Sequence, residues 1–186
     1  NGTVTSGGTG TSDVAVSSEA PIAVKNPIAS GGADGTVQIW DGDTGKHVLT
    51  YSAHKGGINA LAFLQGPGNS FRGLVSASDD QTVRVWDVTS SSPYPNITYR
   101  RHHARVNAVA ALSPVYYYGP RVASASDDHS VQVWSSSNGE HLFTYAEHGA
   151  PVKAVAASPV ANDSRMVSGD ENGLVHLWTI DHTSYQ

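Results

Sequence analysis

Residues Ser76–Asp87 read SASDDQTVRVWD, and this stretch decides the fold. Thr82, Val83, Arg84, Val85 and Trp86 are β-branched, aromatic or long, which suits a pleated surface. Ahead of them Gly73, Leu74, Val75, Ser76, Ala77 and Ser78 alternate small and apolar residues. Asp79, Asp80 and Gln81 lie between the two runs, with side chains that bond back to their own backbone and accept turn geometry. The pattern predicts a β-hairpin, which alone is barely stable in water. It needs copies to stack against.

The chain supplies them. SASDDHSVQVW (Ser124–Trp134) matches at most positions, SGGADGTVQIWD (Ser30–Asp41) nearly as well, and SGDENGLVHLW (Ser168–Trp178) more loosely. All four tryptophans, Trp40, Trp86, Trp134 and Trp178, end these units at separations of 46, 48 and 44 residues. Asp34-Gly35 and Asn172-Gly173 are dipeptides that accept the positive φ of a two-residue turn. A period of roughly 40–45 residues with four strands per unit is the signature of a propeller blade. On these residues the chain resembles the WD-repeat family over nearly its whole length.

Each unit extends beyond its hairpin. Outer strands are expected at His47–Tyr51, Ile97–Tyr99 and His141–Tyr145, each followed three residues later by a histidine: His54, His102 and His148. New apolar strands follow at Ile58–Phe63, Val106–Leu112 and Val152–Ala157, and the loops 65–72, 113–121 and 158–165 lead to the next hairpins. The expectation is one all-β domain over 1–186, a propeller of four WD-type four-stranded blades near 12–51, 57–99, 105–145 and 151–186. Counting back from Ser30 places an inner strand at 14–17 and an outer strand at 3–6, with Gly10 at the histidine position of the first unit. The last unit has only residues 179–186 after Trp178, so the strand at 3–6 is expected to complete the last blade, as the family resemblance implies. Completion within its own ring, in a partner chain, in a larger ring or along a filament are all open from the sequence.

Composition narrows the classes. Hydrophobic residues at 39% with charged residues at only 15%, rich in Gly, Ser and Thr, suit many short strands and tight turns. A net charge of −5 argues against a general nucleic-acid binder, and no apolar run approaches the ~20 residues of a membrane span. No cysteine is present, so disulfides, cysteine catalysis and thiolate metal sites are excluded. The resemblance implies a cytoplasmic protein. Asn1, Asn96 and Asn162 open Asn-x-Ser/Thr sequons, which keeps secretion as the alternative.

His54, Ser76 and Asp80 are the residue types of a nucleophilic triad. The set recurs as His102, Ser124 and Asp128 with Trp134, and in part as Ser30 and Asp34 with Trp40, whereas an active site has no need of copies at blade spacing. The resemblance implies a buried structural tetrad instead, indole N–H to serine, serine to histidine, histidine to aspartate. The fourth unit offers His148, Ser168 and Trp178, but Asn172 stands at the aspartate position, which predicts a less rigid blade. The nine histidines show no ligand spacing, so no metal, cofactor or catalytic residue is expected.

Two surface features stand out. Arg100, Arg101, His102, His103 and Arg105 form the densest positive run, suited to an acidic or phosphorylated segment. Tyr116, Tyr117 and Tyr118 are suited to a protein contact if exposed together. The reading is a non-catalytic scaffold that binds partner peptides or domains through blade-end loops. The alternative is a self-assembling subunit, an oligomer or filament built by strand exchange between propeller edges.

Overall fold

The computed structural model describes residues 26–65, 71–90, 92–115, 119–160 and 163–180, and every regular element among them is a strand. The first sheet holds β1 (Pro27–Gly31), β2 (Val37–Asp41) and β3 (His47–Tyr51). The second holds β4 (Ile58–Gln65), β5 (Phe71–Ser78), β6 (Val83–Trp86) and β7 (Ile97–Tyr99). The third holds β8 (Val106–Val115), β9 (Gly119–Ser126), β10 (Val131–Ser135) and β11 (His141–Tyr145). The fourth holds β12 (Val152–Ala157), β13 (Arg165–Asp170) and β14 (Val175–Thr179). Strands pair antiparallel in chain order within each sheet, as meanders joined by short turns require.

The architecture is therefore all-β, four sheets each matching a WD-type blade. The strands expected at 14–17 and 3–6 lie outside the described residues. Consecutive sheets pack through the first described strand of each, β1 on β4, β4 on β8 and β8 on β12. The first and fourth sheets do not pack on each other in this way, and the described strands form no closed ring. One connection is tighter than the sequence suggests. Within the expected loop 113–121, β8 runs on to Val115 and pairs with Gly119 across a register shift after Leu112. Pro114, which has no N–H to give a ladder, sits in that irregularity on an edge strand.

The core is made of the layers between sheets. Strand alternation sends Val75, Ala77, Val83 and Val85 to one face of the second sheet, and Leu74, Ser76 and Trp86 to the other. The first group packs with Tyr99, Val106, Val122 and Trp134 toward the third sheet. Leu74 and Trp86 pack with Val37, Ile39 and Tyr51 of the first sheet. Ala123, Ala125, Val131 and Val133 join Val152, Met166, Trp178 and Ile180 in the layer between the third and fourth sheets. At each layer a tyrosine ending one sheet stacks on the tryptophan of the next. The pairs are Tyr51 on Trp86, Tyr99 on Trp134 and Tyr145 on Trp178, with ring centroids 4.5, 4.7 and 4.6 Å apart.

Candidate functional site: the buried tetrads and the exposed arginine groove

The turn between the second and third strands of a blade and the loop after the preceding outer strand meet at one place. In the second sheet, Trp86 Nε1–H donates to Ser76 Oγ at 2.8 Å, and Ser76 Oγ lies 2.7 Å from His54 Nε2. His54 Nδ1 is 2.9 Å from Asp80 Oδ2, which also accepts the Lys55 backbone N–H, while Oδ1 accepts from Thr82 N–H and hydroxyl. The third sheet repeats the set, with His102 2.8 Å from both Asp128 Oδ2 and Ser124 Oγ, and Trp134 donating to Ser124 at 3.3 Å. In the first sheet Trp40 donates to Ser30 at 3.0 Å, and Asp34 accepts from the Thr36 N–H and hydroxyl. The corresponding histidine position, Gly10, lies outside the described residues.

The fourth sheet corrects the sequence reading. His148 has a carboxylate partner, Asp170, at 3.1 Å, with Ser168 Oγ at 2.7 Å on the other ring nitrogen and Trp178 donating to that serine at 3.1 Å. Asp170 stands two residues after Ser168, at the register of Ser78 and Ser126, rather than four residues after it where Asn172 stands. Side chains two apart on a strand share a face. A carboxylate at the end of β13 therefore reaches the ring from the strand instead of from the turn. The absence of aspartate at position 172 does not leave the network open.

The electrostatics follow from burial. Desolvation works to raise the Asp80 carboxyl, but Thr82, the Lys55 N–H and His54 outweigh it and hold it down at about 2. Asp128 is lowered in the same way, burial opposed and overcome by His102 and Ser130. His54 is held below the ordinary histidine range because burial disfavours the imidazolium more than Asp80 favours it. The Ser–His–Asp distances match a nucleophilic triad. Ser76 and Ser124, however, have no exposed surface, and each hydroxyl oxygen accepts an indole N–H.

The positive run splits by role. His102 belongs to the tetrad and is buried. Arg105 Nε lies 3.4 Å from Asp79 and 3.5 Å from Asp127, clamping the turns of the second and third sheets together. Arg100, Arg101 and His103 are exposed, and with Gln132, His141 and Thr144 they line an open groove of about 370 Å³. Tyr116, Tyr117 and Tyr118 lie outside the described residues. Among the described residues no group of three or more His, Asp or Glu side chains is arranged to hold a metal.

Sequence reasoning missed one further set. The inner strands β4, β8 and β12 carry the same bulge, at Asn59, Asn107 and Lys153. Asn59 uses it to donate to Asp79 and to the Val106 carbonyl of the next sheet, and Asn107 donates likewise to Asp127 and the Val152 carbonyl. Lys153 instead salt-bridges back to Asp127 at 2.6 Å and to Glu171 at 3.2 Å.

The comparisons agree with this geometry. The family model for the WD domain, G-beta repeat, matches residues 3–41, 45–87, 94–135 and 139–179, most of the chain. WD repeat-containing protein 1 of Gallus gallus is 41% identical over 70 residues, 36% of this chain and 11% of that protein. The WD repeat-containing protein 26 homolog of Arabidopsis thaliana is 42% identical over 59 residues, 32% of this chain and 10% of that protein. The nuclear distribution protein PAC1 of Fusarium vanettenii is 40% identical over 68 residues, 34% of this chain and 15% of that protein. The matched stretches thus span no more than 15% of these relatives. With the family model covering all four sheets, the chain belongs to the WD-repeat family.

Proposed function

We propose that this chain is a non-catalytic protein-interaction scaffold that holds partner peptides or domains on its blade-end loops. The observation that carries the reading is the fixing of those loops from beneath. Asp80, Asp128 and Asp170 tie the turns to a buried histidine and serine, so the exposed residues beside them are presented on a rigid base. Preorganised surface binds with less ordering cost than mobile surface. The tetrads on this reading are structural, with Ser30, Asp34 and Trp40 as the partial set of the first blade. Arg100, Arg101 and His103 are the contact residues that suit acidic or phosphorylated partner segments, and 116–118 remain a second candidate surface. The test is affinity purification with the wild-type chain and with a Ser76→Ala control. Failure to retain any protein reproducibly above a tag-only control overturns the scaffold reading. Stoichiometric labelling of Ser76 or Ser124 by a fluorophosphonate brings back the hydrolase reading.

A second reading, self-assembly through propeller edges, is favoured by one observation. Val175 and Leu177, on the outward face of the fourth sheet, are 64% and 75% exposed, and β14 has no outer partner strand among the described residues. An uncovered apolar face on an open edge recruits other chains. In this reading the strand at 3–6 supplies the missing edge, in its own chain or a neighbour's. Deleting residues 1–8 then changes the hydrodynamic size measured by light scattering, and an unchanged size and melting temperature remove that strand from the account.

A further inference from the structure

The groove beside Arg100 has a wall that repeats in the first sheet, where Gln38 pairs with Thr50 and His47 Nε2 lies 2.9 Å from Thr50 Oγ1, but its arginines are not a feature of the repeat. It joins two segments far apart in sequence, the loop after β7 and the strands β10 and β11. Arg100 and Arg101 make no ion pair with a carboxylate among the described residues, and no carboxylate lines the groove. In a chain of net −5 that is an uncompensated local positive field. At the corresponding positions after the other outer strands stand Ser52 and Ala53, and Ala146 and Glu147, so the charge belongs to this one junction.

The groove is also held in shape. Gln132 is buried, and its carbonyl accepts the Tyr99 hydroxyl at 2.6 Å. Its amide donates to the Arg101 carbonyl at 3.3 Å, which anchors the arginine backbone and leaves the second amide N–H for a ligand. On the far wall His141 Nε2 and Thr144 Oγ1 are 2.7 Å apart. Below, Asp128 Oδ2 accepts the His103 backbone N–H at 3.0 Å, which fixes the residue that carries the third exposed cationic or donor side chain. Two guanidinium forks, two imidazoles, a hydroxyl and an amide thus surround one open space.

We propose that this groove is a phosphoryl-binding site that takes a phosphorylated serine or threonine of a partner protein, an inference that rests on the scaffold reading and names its ligand. A phosphate monoester carries about −1.5 to −2 charge and three strong acceptor oxygens, which two arginines and flanking neutral donors match better than they match a single carboxylate. Arg100 and Arg101 bind the oxygens by their forks, while Thr144, His141 and the Gln132 amide set the depth at which the phosphoryl group sits. A phosphodiester polymer fits poorly, because the acidic remainder of the surface repels its neighbouring charges.

The probe is a fluorescent peptide mixture randomised around one fixed phosphoserine, with unphosphorylated and glutamate twins, titrated against the intact chain by polarisation. Saturable binding of the phosphopeptides is expected, with the unphosphorylated twin silent and the glutamate twin weaker by about tenfold or more, the loss of a charge-assisted contact. In parallel, proton–nitrogen spectra of the histidine rings are expected to show His103 and His141 moving on addition of the phosphopeptides. Inorganic phosphate is expected to move the same two signals at higher concentration. Arg100→Ala with Arg101→Ala abolishes both responses while the melting temperature stays put, and Thr144→Val weakens binding without touching the charge. Equal binding of the glutamate twin, tighter binding of a single-stranded oligonucleotide, or an unchanged response in the double arginine variant overturns the proposal. If that double variant still purifies the same protein partners as the wild type, the groove is wrong and the scaffold reading stands.

Discussion

The second and fourth sheets carry apolar residues at matching positions before their tryptophans and have opposite surroundings. Val83 and Val85 on β6 are 0% and 5% exposed; their counterparts on β14, Val175 and Leu177, are 64% and 75% exposed. The local sequence is not the cause, because both strands read as apolar-rich hairpin partners ending in tryptophan. What differs is whether, among the described residues, another sheet lies against that face. A blade in this family is a unit that cannot bury both its faces alone, and its neighbour finishes it. The inward faces make the same point from the other side. Trp86 is fully buried and stacked by Tyr51, whereas Trp40 of the first sheet is only half-buried and meets its own sheet's His47 edge-on at 5.2 Å.

The sharpest way to break this comparison is to place a charge at the two equivalent positions. Val85→Asp puts a carboxylate into the layer against the third sheet with no cation to meet it, and it is expected to cost upward of about 4 kcal/mol, enough to unfold a marginal domain. Leu177→Asp on the exposed face is expected to leave the urea midpoint within about 0.5 kcal/mol of wild type. If the two substitutions cost the same, Leu177 is covered in solution. Loss of a larger species by light scattering in Leu177→Asp then identifies the cover as a second copy.

The tetrads give the next largest effect. His54→Ala removes the acceptor or donor that both Ser76 and Asp80 use at a buried site, at about 1–3 kcal/mol for each group left without a partner. His148→Ala in the fourth sheet is expected to fall in the same range, because Asp170 completes that network. A distinctly smaller loss at His148 means the fourth network is slack after all. Asn172→Asp, the substitution that would repair the fourth sheet if its carboxylate were missing, now places a second acid two residues from Asp170 and is expected to lower the midpoint slightly.

The dependence on pH sharpens the same contrast. His54 is lowered in the fold by burial against the pull of Asp80, so between its folded value and about 6.5 the unfolded chain binds more protons. Its contribution is complete above about 6.5 and is lost as the pH falls below it. Asp80, lowered to about 2, contributes fully above about 4 and loses that contribution as the pH falls toward about 2. Urea midpoints from pH 8 to pH 3 are therefore expected to fall on acidification, with the limb below about 6.5 shallower in His54→Asn. A wild-type midpoint that rises between pH 6.5 and 5 contradicts the sign.

Much of the fold is legible in the chain, since four hairpins with aligned tryptophans leave few other ways to bury them. Most members of the tetrads are legible too, because their spacing repeats. Asp170 was hidden by that same regularity. The turn register points to position 172, although strand alternation puts 168 and 170 on one face. The division of the arginine run was not legible. Nothing local says that Arg105 turns to Asp79 and Asp127 while Arg100 and Arg101 make no ion pair, because Asp79 comes from the turn of the second sheet and Asp127 from a later turn of the third. Nor does the sequence say that His141 and Thr144, some forty residues on, form the far wall of the groove.

The smallest effect concerns the turns themselves. Gly35, Gln81, His129 and Gly173 occupy the same turn position, and all four have positive φ, at 78°, 68°, 68° and 82°. In the left-handed region a Cβ crowds the following carbonyl, at about 1–2 kcal/mol. The second and third sheets therefore carry strain that the first and fourth avoid. Replacing Gln81 with glycine relieves it but adds freedom to the unfolded chain worth about 0.5–1 kcal/mol, so the net expectation is a stabilisation of at most about 1.5 kcal/mol. The reverse change separates backbone from packing. An added Cβ at Gly173 meets nothing within 4 Å, so Gly173→Ala pays only the backbone term, whereas at Gly35 it meets the carbonyl oxygens of His54 and Gly56 at 3.0 Å. Gly35→Ala is therefore expected to be the more damaging of the two in urea unfolding. Equal losses mean the loop carrying His54 gives way to the methyl group, and a clear loss in Gln81→Gly means the glutamine side chain contributes a contact that outweighs its strained backbone.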